Sequence, residues 1–171
     1  RQGEDDFKKV YRFTNQGVFR HRREPLNKNE AKQRPEKWSD TQNTFYPYNP
    51  KQLECPDVSE RLLVIFIAST SELLAHDKSI SVCVFGKRQL FRVQMQSAGL
   101  HTVKVDYFEK KGQHTLRRQS SVKARKILIT SQPLPSNLDK EENFSFLGFH
   151  KNIAIYIDPT SNLPVQVGGD I

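Results

Sequence analysis

The residues best equipped for chemistry in this chain are cations. Between Arg20 and Lys37 stand seven of them (Arg20, Arg22, Arg23, Lys28, Lys32, Arg34, Lys37) against three acids (Glu24, Glu30, Glu36), so this stretch holds a net +4 of the formal +8. Such a density attracts phosphate backbones, anionic lipid head groups, lipopolysaccharide or acidic proteins. Arg20, Arg22, Arg23, Lys28, Lys32 and Arg34 are therefore candidate contacts to an anionic surface. The bland alternative is that lysine and arginine serve solubility. Trp38, Phe45, Tyr46 and Tyr48 lie just beyond. Rings beside a basic groove also suit single-stranded nucleic acid, a subordinate reading because rings among prolines more often pack inward.

Nucleophile and metal chemistry are poorly supported by spacing. Cys55 and Cys83 are the only cysteines, and neither sits in a C-x-x-C or Cys/His zinc pattern. In an oxidising compartment they can form a disulfide closing a loop of about 27 residues, worth on the order of 3 kcal/mol. The alternative is two separately buried thiols. His21, His76, His101, His114 and His150 are scattered, and the chain has no Gly-x-Ser-x-Gly elbow, Walker loop or dinucleotide fingerprint. The residues thus imply a non-enzymatic protein with no cofactor and no metal. Asp158 ends an apolar run before Pro159, where an aspartate accepts amide hydrogen bonds and starts a turn.

These groups must be positioned by strands. With 171 residues, 36% hydrophobic residues and a mean hydropathy of -0.68, the expectation is one domain over 1–171. Its core is modest, with a polar basic arm and an aromatic-proline segment over 20–50. Phe7, Tyr11 and Phe13 share one face of an extended segment, and Asn15-Gln-Gly17 turns the chain back through Val18–Arg22. The rest of the basic stretch lacks apolar periodicity, which predicts a mobile loop or solvated strand arms rather than a helix.

Asp57-x-x-Glu60 has capping-box spacing, and Leu62, Phe66 and Leu73 beside Leu63, Ile67 and Leu74 predict a helix over 62–74. A buried strand is the competing reading of its β-branched run. Leu62–Ala68, the longest apolar run, is far short of the roughly 20 residues a membrane helix needs. Beyond it, Ile80, Val82 and Val84 alternate with polar positions, Gly86-Lys87 turns, and Phe91, Val93 and Met95 alternate again. Val103, Val105 and Tyr107 predict a further strand closed by Lys110-Lys-Gly112, and Val122–Thr130 another. After a polar loop over 133–143 comes a terminal hairpin through Asp158–Asn162.

The fold class that follows is mainly β: a curved antiparallel sheet or open barrel with one helix packed on its concave face. Val82, Val84, Phe91, Val93, Val103, Val105, Ile127 and Ile129, with Ile80, would line that face, either as a lipid-accommodating cavity or as a packed core.

The order of these features resembles a widespread bacterial family of uncharacterised periplasmic proteins. The resemblance rests on Tyr11-Arg-Phe13, Asn15-Gln-Gly17, the Arg-rich arm, the aromatic-proline segment and Asp57-Val-Ser ahead of an apolar helix. It rests also on Val82-Cys-Val-Phe-Gly-Lys-Arg88 and Ile155-Tyr-Ile-Asp-Pro-Thr-Ser-Asn-Leu-Pro-Val165. The ending looks like one found in lipoprotein-carrier and envelope-stress-sensor proteins, whose open curved sheet holds a helix.

The resemblance implies a periplasmic, secreted, non-enzymatic envelope protein. Its partner would be anionic or amphipathic: a lipid, a lipoprotein, lipopolysaccharide or an envelope protein. Arg1 in place of an initiator Met and leader is what a processed protein would show. Such proteins usually have one or two more strands ahead of the equivalent of Tyr11, where this sequence has ten residues, which would leave a strand edge available to a partner. An assembly module with no small ligand is the alternative function.

Overall fold

The computed structural model describes residues 7–49, 55, 57–70, 73, 78–136 and 142–171. The protein is mainly β, and its sheets remain open rather than closing into a barrel. Two compact units divide the chain, Arg1–Glu54 and Cys55–Ile171. The stretch expected to be a polar arm falls within the first of these units. Among the described residues no helix is long and apolar enough to cross a membrane.

In the first unit, β1 (Lys8–Phe13), β2 (Gly17–Glu24) and β3 (Asp40–Pro47) form an antiparallel sheet with β2 at its centre. The predicted turn closes β1 onto β2 with Phe13 opposite Val18. Thr14 binds the turn: its Oγ1 accepts from the Gly17 amide and donates to the Gly17 carbonyl. Gly17 has to be glycine because a Cβ there would lie 2.3 Å from the Tyr46 carbonyl oxygen of the neighbouring strand.

The basic stretch is more ordered than its polarity predicts. Its first residues are the end of β2, and its remainder forms a short helix α1 (Lys28–Ala31) and a 3-10 turn (Pro35–Lys37). Asn27 Oδ1 accepts from the Asn29 and Glu30 amides at 3.0 Å, and the Glu30 carboxylate accepts from the Leu26 amide at 2.9 Å. That reciprocal arrangement satisfies amides that a helix start leaves without partners. Glu30 also accepts from the Ser39 amide and hydroxyl, while its carbonyl takes the Trp38 indole N–H at 2.8 Å. A buried ring and a capped turn anchor the stretch without apolar periodicity.

The second unit is one six-stranded sheet in the order β4-β5-β6-β7-β8-β9. Its strands are β4 (Val58–Glu60), β5 (Ser79–Phe85), β6 (Leu90–Lys111), β7 (His114–Pro133), β8 (Lys151–Asp158) and β9 (Leu163–Asp170). Only β4 and β5 are parallel; the other neighbours are antiparallel. Adjacent strands are about 4.8 Å apart, so a flat sheet would hold β6 and β9 roughly 14 Å apart. Their Cα atoms instead approach within 8 Å. The sheet is curved.

Asp57 and Glu60 do not open the helix. Val58–Glu60 pairs with Cys83–Phe85 as a strand, and the Glu60 carboxylate accepts from the Leu62 amide at 2.7 Å in the turn that follows. Helix α2 occupies Leu63–Ala68 without a side-chain cap, and of the rest of the predicted helix, Ser71, Glu72 and Leu74 lie outside the described residues. Strand pairing to β5 won over capping because Cys55 is disulfide-bonded to Cys83, which brings this segment alongside β5. Closing a loop with that sequence separation of 28 contributes on the order of 3 kcal/mol in the chain-entropy model.

Three predicted strands between Phe91 and Thr130 are in fact two. Strand β6 runs for 22 residues and β7 for 20, joined by Gly112-Gln113. What interrupts β6 is a bulge between Ser97 and Leu100, where Gly99 adopts φ +83°. A bulge adds one residue to one strand, so alternation along β6 changes face there.

The consequence is two clusters on opposite faces. Met95 pairs with Ile129 and Ser97 with Ile127, whereas beyond the bulge His101 pairs with Ala124 and Val103 with Val122. Since β7 is continuous, Ile127 and Ala124 point to opposite sides. The larger cluster joins Val84, Phe91, Val93, Met95, Ile127 and Ile129 to Ile153, Ile155 and Ile157 of β8, with Val64, Ala68 and Leu73 packed on it. The smaller joins Val103, Val105 and Ala124 to Val122, Tyr156 and Val165.

Candidate functional site

The three-stranded sheet sorts its side chains by parity. Val18, Arg20, Arg22 and Glu24 share a face with Lys9, Tyr11 and Phe13 of β1 and with Gln42, Thr44 and Tyr46 of β3. Val10, Arg12, Phe19, His21, Arg23, Asn43 and Phe45 share the other. The first face is the more enclosed: Val18 is fully buried, and Arg20 and Arg22 are half-buried.

Cations are stacked on rings throughout this sheet. The Arg20 guanidinium lies 5.3 Å over Tyr46, Arg22 5.3 Å over Phe7, Lys9 Nζ 4.0 Å over Phe7 and Arg12 4.8 Å over Phe19. A ring's negative quadrupole holds the cation electrostatically and fixes a long side chain. Arg20 also donates to Thr44 Oγ1 at 3.1 Å. Arg22 pairs with Glu24, and the hollow of about 320 Å³ beside it is lined by Glu24, Asp40, Thr41 and Gln42. Two carboxylates around one guanidinium make that hollow unsuited to an anion.

The second face is different in kind. Val10, Phe19 and Phe45 are 40–48% exposed, and the two phenylalanine rings stack with centroids 4.4 Å apart. Around them stand Arg12, His21 and Arg23. The His21 ring bridges Asn43 Oδ1 at 2.7 Å and the Arg23 Nε at 2.8 Å, while Arg23 donates to the Glu36 carbonyl. Glu36 is itself ion-paired with Lys8, and that bond holds its carboxyl below the ordinary carboxylate range. The Ser39 hydroxyl does the same for Glu30, followed by the Leu26 and Ser39 amides. Glu30 and Glu36 are thus occupied internally, leaving an exposed apolar and cationic face.

No family model, curated protein or solved structure matches this chain.

The six cations singled out by sequence do not form one patch. Arg20 and Arg22 are on the enclosed face, Arg23 is on the exposed one, and Lys28, Lys32 and Arg34 are exposed in and around α1 and the 3-10 turn. Arg12, Val10 and Phe19 complete the exposed face and escaped the linear count, whereas Phe45 was among the rings noted beside the basic stretch. Pairing β1, β2 and β3 in register would have found them, since charge density along the chain says nothing about which side a residue takes.

The expected lining residues all pack, in two groups. Val84, Phe91, Val93, Ile127 and Ile129 are 5% exposed or less in the larger cluster, with Val82 and Ile80 partly buried against it. Val103 and Val105, each 7% exposed, are in the smaller cluster on the opposite face. Cys55 and Cys83 are joined.

Asp158 has the predicted turn role. Its carboxylate accepts from the Thr160 amide at 3.0 Å and the Ser161 hydroxyl at 2.8 Å, and these bonds lower its pKa. Among the other histidines, the His150 ring meets the Phe144 carbonyl and the His101 ring the Ala98 carbonyl; His76 lies outside the described residues. Among the described residues no group of His, Cys, Asp and Glu could hold a metal ion.

Proposed function

We propose that this protein is a non-enzymatic envelope component that binds an anionic, amphipathic partner through the exposed face of its β1–β3 sheet. The observation that carries the reading is the set Val10, Phe19 and Phe45 beside Arg12, His21 and Arg23. Stacked rings supply apolar contact, and a guanidinium fixed over Phe19 supplies charge at low entropic cost. Lipid head groups, lipopolysaccharide and acylated proteins present that combination of phosphate or carboxylate with acyl chain.

A surface contact is favoured over carriage of the ligand inside the second sheet, because Val84, Val93 and Ile127 have no exposed surface. A non-catalytic role is supported by the histidine rings: His21 meets Asn43 and Arg23, and His101 and His150 meet backbone carbonyls. A periplasmic location is supported by the Cys55–Cys83 bond, which persists in oxidising compartments. Membership of the resembled periplasmic family is part of the same proposal.

Each basic residue near an anionic surface is worth about 1 kcal/mol, so losing two lowers affinity roughly thirty-fold. R12Q/R23Q should therefore bind phosphatidylglycerol vesicles about thirty-fold more weakly in a sedimentation assay at low salt. R20Q should retain most binding. Equal binding by wild type and R12Q/R23Q would remove this face from the account.

A further inference from the structure

Past the bulge the β6–β7 hairpin loses its hydrogen-bonded neighbours, although Val103, Val105 and Ala124 near its base still pack against Tyr156 and Val165. Strand β5 pairs with β6 only as far as Gln96, and β8 pairs with β7 only over Arg125–Ile129. From Leu100 opposite Arg125 to Lys111 opposite His114, the arm is a ribbon of two strands. At about 3.3 Å per residue it is roughly 40 Å long. Its sequence from 100 to 125 holds Lys104, Lys110, Lys111, Arg117, Arg118, Lys123 and Arg125 against Asp106 and Glu109, seven cations to two acids. That net of +5 exceeds the +4 of the stretch over 20–37.

The register concentrates part of this charge. Leu100, Thr102, Lys104, Asp106, Phe108 and Lys110 stand opposite Arg125, Lys123, Ser121, Gln119, Arg117 and Thr115, so all twelve share one face. Asp106 is already satisfied by Arg117, whose Nε donates to it at 2.8 Å, and by Gln119 at 3.0 Å. Lys104, Lys110 and Lys123 are exposed on the same face, together with Phe108 at 71% and Leu100 at 57%.

We propose that this face of the arm lies on an anionic phospholipid bilayer, with Phe108 entering the interface and the lysines meeting head-group phosphates. This goes beyond the β1–β3 face, using different residues, and rests on the same reading of an anionic, amphipathic partner. A second copy of the chain is disfavoured as occupant because two arms of +5 repel, which is how charged edges avoid self-pairing. Nucleic acid is disfavoured because one ring offers no platform for successive bases and Leu100 has no role on a phosphate backbone. An exposed apolar residue among lysines, whose flexible stems can reach along an interface, is the pattern of an interfacial element.

The test uses the full chain with phosphatidylglycerol vesicles and with pure phosphatidylcholine vesicles. In F108W the new indole should shift to the blue and be quenched by brominated acyl chains only when phosphatidylglycerol is present, over the constant signal of buried Trp38. K104Q/K123Q should lower binding about thirty-fold. An unquenched Trp at 108 in protein that still sediments with vesicles overturns the proposal, as does unaltered binding by K104Q/K123Q. Tight, salt-sensitive binding to a single-stranded oligonucleotide without vesicle binding also overturns it. Because R12Q/R23Q probes the β1–β3 face separately, loss in that variant alone sinks the arm and leaves the proposed function standing; loss in neither sinks both.

Discussion

The two ends of the β6–β7 hairpin are made from similar alternating sequence and have opposite fates. At the foot, Phe91, Val93 and Met95 alternate with Arg92, Gln94 and Gln96, and the first three are almost without exposed surface. In the arm, Val105, Tyr107 and Glu109 alternate with Lys104, Asp106 and Phe108; Val105, near the base, is 7% exposed, but Tyr107 and Phe108 beyond it are more than half exposed. The foot is flanked by β5 and β8 and covered by α2; the arm has no strand on either side along most of its length. Alternation therefore states that a strand exists. Whether its apolar side is a core depends on what the chain elsewhere brings to cover it.

The largest expected effect breaks the foot. Phe91 is 1% exposed and meets Phe144 edge to face at 5.3 Å, so F91A should destabilise the second unit by about 4 kcal/mol, combining lost transfer energy and a cavity. F108A in the arm should cost no more than about 0.5 kcal/mol, as substitutions at exposed positions usually do. Chemical denaturation of both variants measures the contrast. Equal losses would mean that the arm is packed in solution and that the distinction between the two ends is false.

A smaller effect is expected at the junction. Gly99 has φ +83° with open space where a Cβ would be, so G99A incurs backbone strain and no clash. A cost of about 1 kcal/mol follows. Hydrogen exchange should show faster opening of amides from Leu100 to Lys111 while those of Phe91–Met95 keep their protection. A uniform loss across β6 would show that foot and arm open as one unit.

The smallest effect is a pH dependence confined to the arm. Arg117 first, then Gln119, lowers the pKa of Asp106, so this carboxyl holds its proton less readily in the folded arm than in the unfolded chain. Its contribution is complete above the ordinary carboxylate pKa and disappears as the pH falls through the lowered folded value. Amide exchange of Phe108 and Arg117 should accelerate in that acidic window. D106N should abolish the dependence. The pair is solvent-exposed, so its contribution is small, and an arm equally protected across the window would show that its register is held by backbone bonds alone.

The legibility of the sequence follows the range of the interactions concerned. The Asn15-Gln-Gly17 turn, the β5–β6 hairpin and the Asp158 turn were readable because each is closed by residues within a few positions of one another. The same capping pattern occurs at Asn27-x-x-Glu30 and Asp57-x-x-Glu60, yet only the first opens a helix. The second is overridden by pairing with β5, and nothing local to Asp57 signals that strand. At the candidate site, Arg23 was visible in the charge count, whereas Arg12, Phe19 and Phe45 come together only through cross-strand register.

By itself, the sequence determined a mainly β protein, three hairpins with their turns, an apolar helix, a basic surface and two cysteines free of metal spacing, because composition and period-two patterning act over short distances. The tertiary structure alone decided that Cys55 joins Cys83, that one bulge at Gly99 sends Val93 and Val103 to opposite faces, and that the cations divide between an enclosed and an exposed side. A period of two fixes which residues share a face, but the face that is buried is set by partners distant in sequence, and one added residue is enough to exchange the two.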